Sequence, residues 1–150
     1  MRVLVQRVAT AEVTVAGRAS GAIGPGLLLL VGITHSDDEA TLKRMADKLV
    51  KLRIFADDEG VMNLDVQQAA GRILAVSQFT LYASTKKGNR PSWSRAARGE
   101  VSQPLFERFV QKLATALGQP VPTGVFGADM QVALINDGPV TITLDSQQPE

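Results

Sequence analysis

The chain has 150 residues, 45% hydrophobic and 21% charged, the balance of a soluble globular protein long enough to bury a core. Sixteen Lys and Arg against fifteen Asp and Glu leave a formal net charge of +1, so there is no global basic or acidic signature. The absence of cysteine excludes disulfides and thiolate chemistry, and the longest apolar run, "GLLLLVGI" at 26–33, is too short to cross a bilayer.

The amino end, "MRVLVQRV", goes straight into strand-like alternation without the form of a signal peptide, so a cytoplasmic protein is expected. Paired strands are predicted at 2–8 and 11–16, followed by glycine-punctuated turns through "AGRASGAIGPG". "LLLLVGI" at 27–33 is apolar on both faces and reads as a central buried strand. Ser36 with Glu39 three residues later predicts a capping-box start, and Leu42, Met45, Ala46, Leu49 and Leu52 continue at helical spacing. Short strands are expected near 53–56 and 61–66 around the turn "DDEG", then a long strand over 72–83, "RILAVSQFTLYA". A second helix is predicted over 103–117, with Ser102 as cap, Pro104 in the first turn and Gly118 as stop. Leu105, Phe106, Phe109, Val110, Leu113 and Leu117 supply its buried face. "QPVPTG" links to strands at 129–136 and 140–145, and the tail 146–150 is expected to be loose. With no repeat, low-complexity segment or domain boundary, residues 1–150 read as one α/β domain of roughly seven or more strands and two principal helices.

The chemistry narrows by elimination. His35 is the only histidine, so a zinc site built from several imidazoles cannot form. It lies between a buried strand and a helix cap and reads as a helix-entry residue rather than a base. There is no Gly-x-Ser-x-Gly elbow, P-loop or dinucleotide fingerprint. "SQFTLY" at 77–82 is the densest polar interruption of a buried strand. Its hydroxyls and amide either bond to neighbouring backbone or line a pocket that holds a ligand. In "TGVFGADM", 123–130, Phe126 is either a core residue or an aromatic face for a flat base. "TKKGNRPSWSRAARGE", 85–100, carries Lys86, Lys87, Arg90, Arg95 and Arg98 against Glu100. It reads equally as a solvated loop and as a phosphate-facing patch, with Trp93 able to pin the loop or to stack on a base. Finally, "NDGP" at 136–139 separates two apolar strands. An ordinary turn centred on Asn136-Asp137, with Pro139 opening the next strand, fits the pattern better than a Gly-Pro pair shaped for a task.

In their order and spacing, "MRVLVQRV", "GPGLLLLVGI", "SQFTLYA", "KKGNRPSW" and "NDGPVT" resemble the D-aminoacyl-tRNA deacylase (D-tyrosyl-tRNA deacylase) family along nearly the whole chain, with Trp93 where phenylalanine is more usual. The resemblance implies a domain with mixed, mainly antiparallel, barrel-like sheets and a homodimer with its active sites at the subunit interface. It also implies a pocket wall and catalytic strand at Ser77, Gln78, Phe79 and Thr80, and a cis Gly138-Pro139 pair reaching in from the other subunit. Phe126 and Met130 would contact the terminal adenosine, and Lys86, Lys87 and Arg90 the phosphates of the acceptor stem. The activity implied is hydrolysis of the ester of D-aminoacyl-tRNA, and of glycyl-tRNA mischarged on alanine tRNA, with no cofactor, metal or membrane. L isomers would clash with main-chain carbonyls of the gate. No base in the sequence activates Thr80, so assistance by the ribose 2′-hydroxyl is expected over an acyl-enzyme. The rivals are a non-catalytic RNA-binding module and a general small-ester hydrolase.

Overall fold

The computed structural model describes residues 1–149, and Glu150, the last residue of the expected loose tail, lies outside them. The first strand, β1 (Arg2–Val15), is a single element where two were expected. A tight turn at Ala16-Gly17, with φ of 49° and 77°, feeds β2 (Arg18–Ile23), so the stretch expected to hold only turns contains a strand. β3 (Gly26–Gly32) follows. Residues 2–8 of β1 pair antiparallel with β3, and residues 11–15 pair with β2.

The crossover from β3 contains helix α1 (Glu39–Val50) and a small ladder of β4 (Phe55–Ala56) with β5 (Met62–Leu64). The expected Ser36 cap is displaced to Asp38, whose carboxylate accepts from the Thr41 N–H at 2.9 Å. The cause lies at Asp37: this buried carboxylate is taken by the Thr34 N–H at 2.8 Å and by the Met1 ammonium, so residues 34–37 form a turn before the helix begins. Ser36 instead accepts from the Gln147 side chain at 2.7 Å. That bond, and another from the Ser146 N–H to the Met1 carbonyl, tie down the start of the tail.

β6 (Arg72–Ser77) returns parallel to β3, with Gly26 opposite Arg72 and Val31 opposite Ser77. The long strand expected to reach residue 83 stops at Ser77 and turns into a 3-10 helix, Phe79–Tyr82. Its partner has run out: the Gln78 N–H donates to the Val31 carbonyl at 2.7 Å, and β3 ends one residue later. Helix α2 (Gly99–Leu117) begins four residues before the expected start. Arg98 is its cap, Ser102 lies in the first turn with its hydroxyl bonded to the Arg98 carbonyl at 3.0 Å, and Pro104 lies in the second turn.

The last element, β7 (Gln131–Asp145), overturns the expected hairpin. Residues 131–136 and 141–145 belong to one strand that pairs with β1 from Thr14 back to Arg2. "NDGP" therefore does not reverse the chain. Residues 137–140 loop out opposite Arg7, and the strand resumes in the same direction. Hydrophobic alternation looks the same for two short strands joined by a turn as for one long strand with a bulge.

The central strands are buried on both faces, as their composition predicts. Leu27, Leu29, Ile73 and Ala75 pack under the helices with Leu42, Leu49, Phe109 and Leu113. Leu28, Leu74 and Val76 pack on the opposite side with Val8, Ala11, Val13 and Ile23, because the sheet curls over them. The segment around Thr123 closes this curl, bridging Ala75 of β6 and accepting from Ser20 of β2. The result is the expected mixed, barrel-like α/β architecture with two principal helices.

Candidate active site

A cavity of about 260 Å³ opens where the parallel strands β3 and β6 end. Carboxyl ends of parallel strands are a general place for ligand crevices, because the connections diverge there. Val31 and Ile33 form its floor with Val76, while Ser77, Gln78 and Phe79 line one wall. Ala97, Ser102 and Phe106, at the start of α2, form a second wall. Phe126 and Met130 close the third, with Val132 of β7 behind them. Phe126 is half-buried against Phe106, ring centroids 6.1 Å apart.

Five of the sequence-predicted residues thus meet in one apolar pocket with a polar lip. Thr80 stands beside it, its hydroxyl accepting from the Gln78 amide. Among the described residues no acidic or imidazole side chain lines the pocket. His35 is exposed in the turn before α1. The backbone N–H groups of Phe79 and Thr80 open the 3-10 helix, where the first donors lack intrahelical acceptors. Among the described residues no group of three His, Asp or Glu could hold a metal ion.

The basic segment sits directly outside this wall. Two reciprocal backbone bonds of 2.9 Å between Ser84 and Ser92 close a loop that carries Lys86, Lys87 and Arg90, all exposed. Trp93 follows the clasp and meets Phe79 edge to face, centroids 5.2 Å apart. Both rings remain open to solvent, Phe79 by 55% and Trp93 by 40%.

Gly138 and Pro139 do not line the cavity of their own chain; they form the exposed tip of the β7 excursion. Their peptide bond is cis. Gly138 has a φ of 150°, and a Cβ there would meet Val140 at 2.8 Å, so only glycine fits. Two residues missed in the sequence hold this tip. Asn136 replaces the lost ladder: its Oδ1 accepts from the Val140 N–H at 2.7 Å, and its Nδ2 donates to the Val140 carbonyl at 3.2 Å. Arg7 braces the tip from β1. Its Nε donates to the Asp137 carbonyl at 2.9 Å and its Nη1 to the Ile54 carbonyl at 2.6 Å. A signal for Arg7 exists in the sequence. The buried positions Val3 and Val5 are followed by Val8, so the period-2 pattern slips at this residue.

The chain matches the family described as D-Tyr-tRNA(Tyr) deacylase over residues 4–145. It is 69% identical over all 150 residues to a D-aminoacyl-tRNA deacylase of Dechloromonas aromatica (strain RCB), covering 100% of both chains. Among solved structures it superimposes on a c-Myc DNA Unwinding Element Binding Protein with a TM-score of 0.90 and 39% identity, covering 97% of this chain and 98% of that one. It shares the fold of a probable eukaryotic D-amino acid tRNA deacylase, with a TM-score of 0.82 and 18% identity over 95% of this chain and 97% of that one.

Proposed function

Since the chain belongs to the D-Tyr-tRNA(Tyr) deacylase family, whose members hydrolyse D-aminoacyl-tRNA, we propose that the cavity at the end of β6 receives the terminal aminoacyl-adenosine and that water cleaves its ester there. The products are the free amino acid and a tRNA with its ribose hydroxyl restored. One observation carries the reading: Ser77, Gln78 and Phe79 share a single pocket with Phe126 and Met130, pairing polar orienting groups with flat apolar surface. Phe126 and Met130 take the adenine, and Ser77 and Gln78 orient the ester.

The chemistry needs no reactive side chain. The Thr80 hydroxyl is bonded to the Gln78 amide, which cannot act as a base to deprotonate it. Attack by water is assisted by the ribose 2′-hydroxyl, and the N–H groups of Phe79 and Thr80 stabilise the oxyanion.

Selection between isomers falls to a second copy of the chain, in a homodimer with its active sites at the interface. The tip at Gly138 and Pro139 is exposed and braced, and faces no pocket of its own subunit. β7 pairs only with β1 among the described residues, and Ile135 beside the tip is 62% exposed. An open apolar strand edge favours pairing of copies. Carbonyls of the partner's tip occupy the space an L side chain would need, so D-aminoacyl and glycyl esters enter and L esters do not. Lys86, Lys87 and Arg90 hold acceptor-stem phosphates. The setting is the cytoplasm, where charged tRNA is found; no helix among the described residues is long and apolar enough to cross a membrane.

Deacylation measured side by side on D-aminoacyl, L-aminoacyl and glycyl tRNA tests this reading. Release of the first and third, with the second spared, is the expected result. Release of none faster than buffer would leave only nucleic-acid binding, and hydrolysis of the L ester would remove the gate.

A further inference from the structure

We propose that Trp93 and Phe79 form a stacking shelf for an unpaired nucleotide that precedes the terminal adenosine at the tRNA 3′ end. This deepens the function proposed above and rests on it. Phe79 belongs to two surfaces at once: it lines the pocket, and it is the ring against which Trp93 sits. Trp93 therefore lies one ring outside the pocket, beyond the wall that Ser77, Gln78 and Phe79 form and beside the basic loop. Large aromatic residues in such contact usually bury each other, yet these remain 55% and 40% exposed. Their edge-to-face angle of 74° keeps the two rings from covering one another face to face.

Charge identifies the occupant. From Ser84 to Arg98 the chain carries Lys86, Lys87, Arg90, Arg95 and Arg98 and no acidic residue. Among the described residues none of the five makes an ion pair. An aromatic surface next to unneutralised cations matches a single-stranded nucleic acid, whose bases stack while its phosphates are neutralised. An apolar peptide would leave the cations unanswered, and an acidic peptide would leave the rings bare. The backbone also positions Trp93 well. The Ser84–Ser92 clasp ends one residue before it, and the Ala96 N–H bonds the Trp93 carbonyl at 3.0 Å. The ring is thus presented from a fixed base, with Lys86, Lys87 and Arg90 on the loop that the clasp closes and Arg95 and Arg98 following it.

Trp93 is the only tryptophan, so its fluorescence reports on this place alone. The test titrates the full-length protein with a minihelix RNA bearing the natural single-stranded 3′ end. A second minihelix carries abasic sites at the unpaired positions before the terminal adenosine, and adenosine monophosphate is a third ligand. Binding is followed in parallel by anisotropy of a dye on the RNA's 5′ end. The natural end is expected to quench Trp93, with the abasic end binding at least about fivefold more weakly. Quenching should be lost with the abasic end and absent with adenosine monophosphate. Trp93→Leu should weaken binding of the natural end by a similar factor and leave the abasic end unaffected, while Trp93→Phe restores most of it. Equal quenching by both minihelices, or tight RNA binding with no change in fluorescence, overturns the shelf. Deacylation assays separate this outcome from the parent reading. Normal hydrolysis without base-dependent quenching sinks the shelf alone, and base-dependent quenching without hydrolysis sinks the enzymatic reading alone.

Discussion

Replacing Arg7 with alanine should separate the stability of the chain from the accuracy of the proposed gate. The guanidinium is mostly enclosed, its side chain 13% exposed, and donates to two carbonyls. The bond to Ile54 is partly buried, and losing its charged donor costs about 1.5–3 kcal/mol. The bond to Asp137 is at an exposed tip where water can replace the donor, so about 0.5–1 kcal/mol is the appropriate figure. The carboxylate of Asp137, 3.7 Å away and 63% exposed, adds little. The sum, about 2–4 kcal/mol, predicts a midpoint lowered by roughly 5–15 °C for a chain of this size. Such a loss by itself leaves the selectivity of the folded fraction unchanged. If Arg7 braces the gate, the ratio of kcat/KM for D over L aminoacyl-tRNA should also fall, by about tenfold or more, equivalent to about 1.4 kcal/mol of lost discrimination. Thermal unfolding and paired deacylation assays, run well below the new midpoint, read the two effects separately. A destabilised variant that still rejects the L ester at the wild-type ratio would refute the reasoning.

The other predictions concern the pocket, the loop and the acid limb. Thr80→Ala should keep kcat within about tenfold of wild type, whereas a nucleophile would lose on the order of 10⁴ or more; a substrate with hydrogen in place of the 2′-hydroxyl should not turn over. Lys86, Lys87 and Arg90 changed together to alanine should weaken binding of the acceptor end and reduce the salt slope of log K by about 2, read from titrations at several salt concentrations. At Gly124 an added Cβ would collide with the Met130 sulfur, a flexible group. Gly124→Ala should therefore cost only about 1 kcal/mol, yet raise KM by moving the adenosine wall; unchanged KM at a folded variant would remove Met130 from the site. Asp145 is pushed up by burial, but the Arg2 hydrogen bond, the Gln147 N–H and nearby positive charge outweigh this and hold it below its ordinary 3.8. The unfolded carboxylate then binds protons more readily than the folded one, so its contribution is complete above the unfolded value and lost as pH falls through the lower folded one. Urea midpoints across pH 2.5–6, roughly spanning that window, should show a flatter acid limb for Asp145→Asn.

Much of this molecule was legible where the signal is local. The stripe from Leu42 to Leu49 and the one from Leu105 to Leu117 are written at helical spacing, and both helices bury those faces. The doubly buried 27–33 strand was equally plain. Boundaries failed where a tertiary partner sets them. Ser36 was passed over because Asp37 is drawn into the buried turn, and the 72–83 strand stopped because β3 had ended. "NDGP" misleads for a deeper reason. Asn, Asp, Gly and Pro serve a bulge as readily as a turn, and only β1, more than a hundred residues away, decides between them. For the site, "SQFT" was visible as polarity inside an apolar strand. Arg7 and Asn136 were not, because their roles are bonds to main-chain atoms rather than a residue pattern.

The β7 excursion has a mechanical consequence. A hairpin tip hangs from one pair of strands and can fray, but this protrusion is stapled to β1 by five paired residues on one side and six on the other. It therefore behaves as an anvil and not as a flap: a ligand striking it meets an object already in its final position. If the tip is the proposed gate, its accuracy is decided on contact, without a closing motion to wait for, and should change little between cold and warm conditions until the sheet itself gives way.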